Sequence, residues 1–146
     1  NSVTDGEYVI RSVVNSKYAI DVQWASVADG ANIQLYEING TNAQAWIISH
    51  DSNNFVLLKN KNSGKMLSVK DGFLRNGLNV EQRSYKENDK AQEWIAVKQL
   101  NGSIVFVSAL NTNYCIDLDS ATAQNERNIQ LYTNNGTKAQ QWICSH

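Results

Sequence analysis

The chain has 146 residues, 42% apolar and 18% charged, with 13 Lys and Arg against 14 Asp and Glu and a net charge of −1. That length allows one packed core, and a balanced charge without a Lys/Arg cluster speaks against nucleic acid as a partner, because such a face must displace phosphate counterions. No apolar run reaches the ~20 residues of a membrane-spanning helix, and two cysteines, Cys115 and Cys144, cannot staple a disulfide-dense scaffold.

The predicted elements are short and β-like. An apolar-rich stretch opens at Tyr8 (YVIRSVV), a turn follows around Asn15, and YAIDV (18–22) reads as a strand. NIQLY (32–36) is the next strand, NGT at Asn39 the next turn, and Gln44-Ala45-Trp46 leads into AWII. The same order restarts at Phe55 (FVLLKN), passes a turn with Asn62 and the segment NVEQR (79–83), and reaches Gln92-Glu93-Trp94. It restarts again at Ile104 (IVFVSAL), with a turn at Asn111, NIQLY at 128–132, NGT at Asn135 and Gln140-Gln141-Trp142. The three Gln-x-Trp triplets lie 48 residues apart, and each is followed by Ile. The repeats therefore run over about 6–54, 55–102 and 103–146 within a single domain of 1–146.

No stretch sustains a helical period over three turns. There is no proline, so turns rest on Asn, Gly and Asp. One unit of short strands cannot bury its apolar face alone. Three around a common axis close a barrel and leave no free edge. Trp46, Trp94 and Trp142 are expected in the core, and Gln44, Gln92 and Gln140 are expected to tie down loop backbone. Asn32, Asn79 and Asn128 recur in all three units and read as structural. Cys115 and Cys144 are buried thiols or one bridge; sequence leaves both open. His50 and His146 form no ligand spacing with a cysteine, so neither a metal nor another cofactor is expected.

The threefold Gln-x-Trp, the IDV/IDL strands and the two copies of NIQLY…NGT resemble the ricin B-type β-trefoil lectin family, which includes carbohydrate-binding modules of bacterial glycoside hydrolases. The resemblance covers essentially the whole chain. It implies an all-β trefoil around a pseudo-threefold axis, with a shallow sugar pocket available in each repeat. In the first repeat it assigns Asp21, Tyr36, Asn39 and Gln44 to the pocket, with Gln34 beside the tyrosine. In the third it assigns Asp117, Tyr132, Asn135 and Gln140, with Gln130. The middle repeat has Ser68, Glu81 and Arg83 in place of aspartate, inner glutamine and aromatic, and its segment from Arg83 to Gln92 is one residue longer. It keeps Asn79, Gln92 and Trp94, and is expected to hold the barrel together without binding. Ala43 and Ala139 stand where several relatives carry Asn, and Cys115 lacks the partner cysteine that other relatives place near Asn134.

These residue types suit a saccharide. A carboxylate accepts from two neighbouring hydroxyls, a phenol ring covers a C–H face, and an asparagine both donates and accepts. The competing readings are surface carboxylate, strand packing, turn formation at Asn39 and Asn135, and strand hydrogen bonding at Gln34 and Gln130. Trp24 is the unrepeated tryptophan, three residues after Asp21; it forms either a second wall of the first pocket or a local loop contact. No nucleophile or poised acid–base pair is found, so the chain reads as non-catalytic.

The resemblance implies galactose or N-acetylgalactosamine termini, or plant polysaccharide, as ligand, with a protein-recognition trefoil as the alternative. NGT at Asn39 and Asn135 and NGS at Asn101 are glycosylation sequons, two of them on proposed pocket residues. The chain begins at Asn1 without Met or signal peptide. The expectation is a secreted or cell-surface protein, read as a mature fragment or a module of a larger extracellular protein.

Overall fold

The computed structural model describes residues 2–146. Twelve strands fall into three runs of four. The first run is β1 (Gly6–Ser12), β2 (Tyr18–Val22), β3 (Ile33–Glu37) and β4 (Trp46–His50). The second is β5 (Val56–Asn60), β6 (Met66–Val69), β7 (Val80–Arg83) and β8 (Trp94–Lys98). The third is β9 (Ile104–Ser108), β10 (Tyr114–Leu118), β11 (Arg127–Thr133) and β12 (Trp142–Ser145). Most strands end near an Asn, Gly, Asp or Ser that supplies a turn, while β2 runs into a short 3-10 turn of Gln23, Trp24 and Ala25. In the two NGT loops, Asn39 Oδ1 and Asn135 Oδ1 accept from the backbone N–H two residues on, both at 3.1 Å, and the glycines that follow sit at φ 73°.

Six strands close a ring by antiparallel pairing: β1 with β4, β4 with β5, β5 with β8, β8 with β9, β9 with β12, and β12 back to β1. A closed ring has no edge to protect. The other six strands form three hairpins, β2–β3, β6–β7 and β10–β11, which pair with one another. The hairpin contacts repeat around the axis: Asn32 opposes Glu81, Asn79 opposes Gln130, and Asn128 opposes Gln34. Their side chains close a cycle, with Asn32 Nδ2 donating to Asn128 Oδ1 (2.9 Å), Asn128 to Asn79 (2.9 Å) and Asn79 to Asn32 (2.7 Å). The fold is the expected β-trefoil.

One core joins all three units and is built around Trp46, Trp94 and Trp142, which are fully buried. Each indole N–H donates to a backbone carbonyl in its own unit: Ile20 at 3.0 Å, Leu67 at 3.1 Å and Ile116 at 3.3 Å. Those carbonyls immediately precede Asp21, Ser68 and Asp117, so the core fixes the backbone that presents the three equivalent positions. The glutamines hold the loops as expected. Gln44, Gln92 and Gln140 each donate to the carbonyl that closes the loop (Glu37, Ser84 and Thr133) and accept a backbone N–H (Asn39, Lys86 and Asn135).

One repeat alignment differs from expectation. Asn15 Oδ1 and Asn111 Oδ1 cap turns by accepting from Lys17 and Asn113 N–H, but in the middle unit Ser63 Oγ does this for Lys65, not Asn62. Asn62 instead donates to the carbonyl of Ala25. A serine oxygen replaces the amide oxygen in the same turn, which hides the equivalence. Both cysteines are free thiols, and burial pushes each up to about 12.

Candidate functional site

Strand register places Asp21 opposite Gln34, Ser68 opposite Glu81 and Asp117 opposite Gln130. These are the three equivalent places predicted from spacing. In the first, Gln34 Nε2 donates to Asp21 Oδ2 at 2.9 Å, and Oδ1 takes no donor among the described residues. In the third, Gln130 donates to Asp117 Oδ1 at 3.1 Å and Gln140 to Oδ2 at 2.9 Å. Both carboxylates are buried. Burial raises both above the ordinary aspartate range, against the lowering effect of the amide donors, and Asp119 adds a further upward push on Asp117.

The carboxylates open onto cavities of similar size. The first, of about 380 Å³, is lined by Asp21, Trp24, Gln34, Tyr36 and Asn39 together with Thr41, Ala43 and Glu126. The third, of about 370 Å³, is lined by Asp117, Gln130, Tyr132 and Asn135 together with Asp119, Ser120 and Thr137. Both tyrosines are half-buried, on the strand that faces the aspartate strand. Asn39 and Asn135 spend Oδ1 on the turn, on the N–H and hydroxyl of Thr41 and Thr137, and leave Nδ2 without an acceptor among the described residues. Turn reading and pocket reading thus apply to different ends of one amide.

The resemblance gives Gln44 and Gln140 the part of adding or orienting hydrogen bonds in the pocket. Neither is among the residues lining these two cavities, and both are buried, with their amides engaged as described. Gln140 steers Asp117 and Gln44 holds the Asn39 loop, so their part is positioning. Trp24 is 81% exposed and is among the residues that line the first cavity.

The loops after β2 and β10 carry two successive non-glycine residues in the left-handed region, Trp24 (φ 61°) and Ala25 (φ 49°), and Ser120 (φ 57°) and Ala121 (φ 50°). Such backbone gathers where a site needs an over-determined shape. Thr41, Thr137 and the Gln23/Asp119 pair escaped the sequence reading, although both threonines recur in NGT. Glu126 gave no signal, because it reaches the first cavity from the third unit.

The middle place is filled from within. Ser68 Oγ turns to the carbonyl of Val69 at 3.4 Å, and the buried Glu81 carboxylate accepts from Arg83 Nε. Arg83 stands where the other units carry tyrosine, and its guanidinium pairs with the buried Glu81 carboxylate. Among the described residues, no group of three or more His, Cys, Asp or Glu gathers as a metal site.

A closed six-stranded barrel with three mutually paired hairpins, two of them bearing carboxylate–phenol cavities, defines a trefoil of lectin type. The chain belongs to the ricin-type beta-trefoil lectin domain-like family, whose model matches residues 1–83 and again 50–132. It is similar to the designed threefold-symmetric protein ThreeFoil, at 29% identity and TM-score 0.91, over 97% of this chain and 99% of that one. The Macrolepiota procera ricin B-like lectin, solved in complex with lactose, shares the fold at 17% identity and TM-score 0.83, over 99% of this chain and 97% of that one. Flavastacin of Elizabethkingia meningoseptica is 30% identical over 95 residues, which is 64% of this chain and 21% of flavastacin. The chain thus spans about a fifth of that relative.

Proposed function

We propose that the chain binds carbohydrate without catalysing a reaction, through the first and third cavities, and that it takes galactose-type sugars. The observation that carries this reading is selective recurrence. A buried carboxylate and a half-buried phenol line an open cavity in two of three equivalent places, and in the third place both are replaced together. Vicinal hydroxyls donate to Asp21 or Asp117, a C–H face lies on Tyr36 or Tyr132, and Asn39 or Asn135 Nδ2 donates to a sugar oxygen. The lactose complex of the Macrolepiota lectin supports a galactoside. Cavities this open bind weakly, at about 4–5 kcal/mol per site. We further read residues 1–146 as one secreted or cell-surface module, in keeping with the small share of flavastacin that it spans.

The test is calorimetric titration with galactose and lactose beside a glycan array. Asp21→Asn with Asp117→Asn is expected to abolish binding while the unfolding transition stays cooperative, and Ser68→Ala to leave the isotherm as it was. An unchanged isotherm in the double variant rules out these sites. Binding to a protein partner that survives both its deglycosylation and the loss of the two aspartates points instead to a protein-recognition trefoil.

A further inference from the structure

The first cavity breaks the pseudo-threefold pattern twice, and both breaks face the same space. Trp24 occupies the loop position that Ser120 holds in the third unit, with nearly the same backbone (φ 61° and 57°). Glu126 occupies the turn position that glycine holds in the other units. The backbone N–H groups of Gly30, Gly77 and Glu126 donate in turn to the carbonyls of Gln82 (2.8 Å), Leu131 (2.9 Å) and Leu35 (2.9 Å). All three are left-handed, at φ 86°, 89° and 70°. That conformation is free for glycine and a cost for glutamate. Glu126, placed there at that cost, is among the residues that line the first cavity, and its carboxylate has no partner among the described residues.

A second, independent feature lies beneath it. A Cβ at Gly77 would stand 3.8 Å from Gln130 Oε1, so a side chain at this turn position sits over the inner glutamine of the next hairpin. By the same relation Glu126 sits over Gln34. Gln34 is 4% exposed, and its Oε1 is buried without a donor. Its orientation is set, because its Nε2 donates to the Asp21 carboxylate, which can only accept. The residues lining the first cavity therefore carry three acceptor groups: the Asp21 carboxylate, the Glu126 carboxylate and, buried beneath the surface, Gln34 Oε1. Asn39 Nδ2 stands against them as a donor.

A neutral hexose presents hydroxyls that donate and accept alike. An ammonium group presents three donors and no acceptor, and exposed indole and phenol faces attract it as well. The third cavity lacks this demand. It has Ser120 for Trp24 and Gly77 for Glu126, and its extra carboxylate, Asp119, accepts from Ser120 Oγ at 3.1 Å and has Arg127 Nε at 3.8 Å.

We propose that the first cavity recognises a hexosamine with a free, protonated amino group, and that Glu126 is the residue that sets this specificity. The inference rests on the carbohydrate-binding reading above. It is tested by calorimetry at about pH 6, where the amino sugar is protonated, with galactosamine, N-acetylgalactosamine and galactose as probes. The Asp117→Asn background isolates the first cavity. Galactosamine is expected to bind about tenfold tighter than galactose or the N-acetylated sugar, with a preference that shrinks at high salt.

Glu126→Gln and Glu126→Gly should each bring the galactosamine-to-galactose ratio close to one. The glycine variant restores the residue of the other two turns, so a folded protein is expected. Galactose binding without any preference for the amine, or a preference that survives Glu126→Gly, overturns this proposal and leaves the carbohydrate-binding reading standing. Failure of all three sugars to bind, in this background and in the unsubstituted protein alike, overturns both.

Discussion

Asp21 and Asp117 occupy the same register yet are held by different numbers of donors, and this difference has thermodynamic consequences. Burial raises both carboxyls above their unfolded values, so the folded chain holds the proton more tightly. The resulting stability is present at low pH and is lost as pH rises through the raised folded value. At neutral pH the ionised aspartates therefore cost stability in the absence of ligand. Asp21→Asn removes that cost, and its Oδ1 can still accept from Gln34, so the thermal midpoint should hold or rise. Asp117→Asn turns an amide toward one of two donors, Gln130 or Gln140, and should be less stable than Asp21→Asn by about 1 kcal/mol. Paired denaturation curves check this. Sugar affinity runs the other way: it should fall on acidification with a midpoint above the ordinary carboxylate range, read by titration between about pH 7 and pH 4. Aspartate, tyrosine and inner glutamine were legible in the sequence because each recurs at fixed spacing within its own unit. Glu126 was not, because its cavity belongs to another unit 90 residues upstream, measured from Tyr36. Gln44 and Gln140 were legible as scaffold, while spacing does not tell which way an amide points.

At the level of the hairpins, the asparagine cycle joins three elements that share no chain neighbour. Each asparagine gives one bond and receives one, so replacing one member breaks two bonds at once. Asn79→Ala should therefore cost about 1–3 kcal/mol of folding stability, since each bond contributes roughly 0.5–1.5 kcal/mol. Asn79→Asp keeps an acceptor and loses a donor, and should fall between. Chemical denaturation of the three proteins decides it, and equal stability for all would mean that the cycle adds nothing to backbone pairing. Recurrence marked these asparagines as structural. Their mutual contact was not readable, because it is made at an axis that exists only once three hairpins are assembled. The turn serine Ser63 illustrates the opposite failure: function was kept while residue type changed, so a search for matching asparagines chose Asn62.

The whole barrel determines how its two cavities act together. Every strand of the ring is paired on both sides, and the tryptophans of all three units share one core, so the hairpins cannot move apart without opening that core. The two cavities are thus held at a fixed separation. On a free monosaccharide they act independently. On a surface dense with matching glycans, the second contact becomes intramolecular and multiplies retention without any new bond, provided the spacing of the glycans allows both to engage. Disabling one cavity should therefore matter far more on a surface than in solution. With Asp117→Asn, monosaccharide affinity of the first cavity should stay within about twofold, because separated sites are close to additive. Retention on a densely glycosylated surface should drop by about a hundredfold, the low end of bivalent gains. Surface plasmon resonance at high and low glycan density separates the two regimes: the loss should fade as density falls below what two cavities can bridge. A loss of equal size at every density would mean that each barrel engages through one cavity alone.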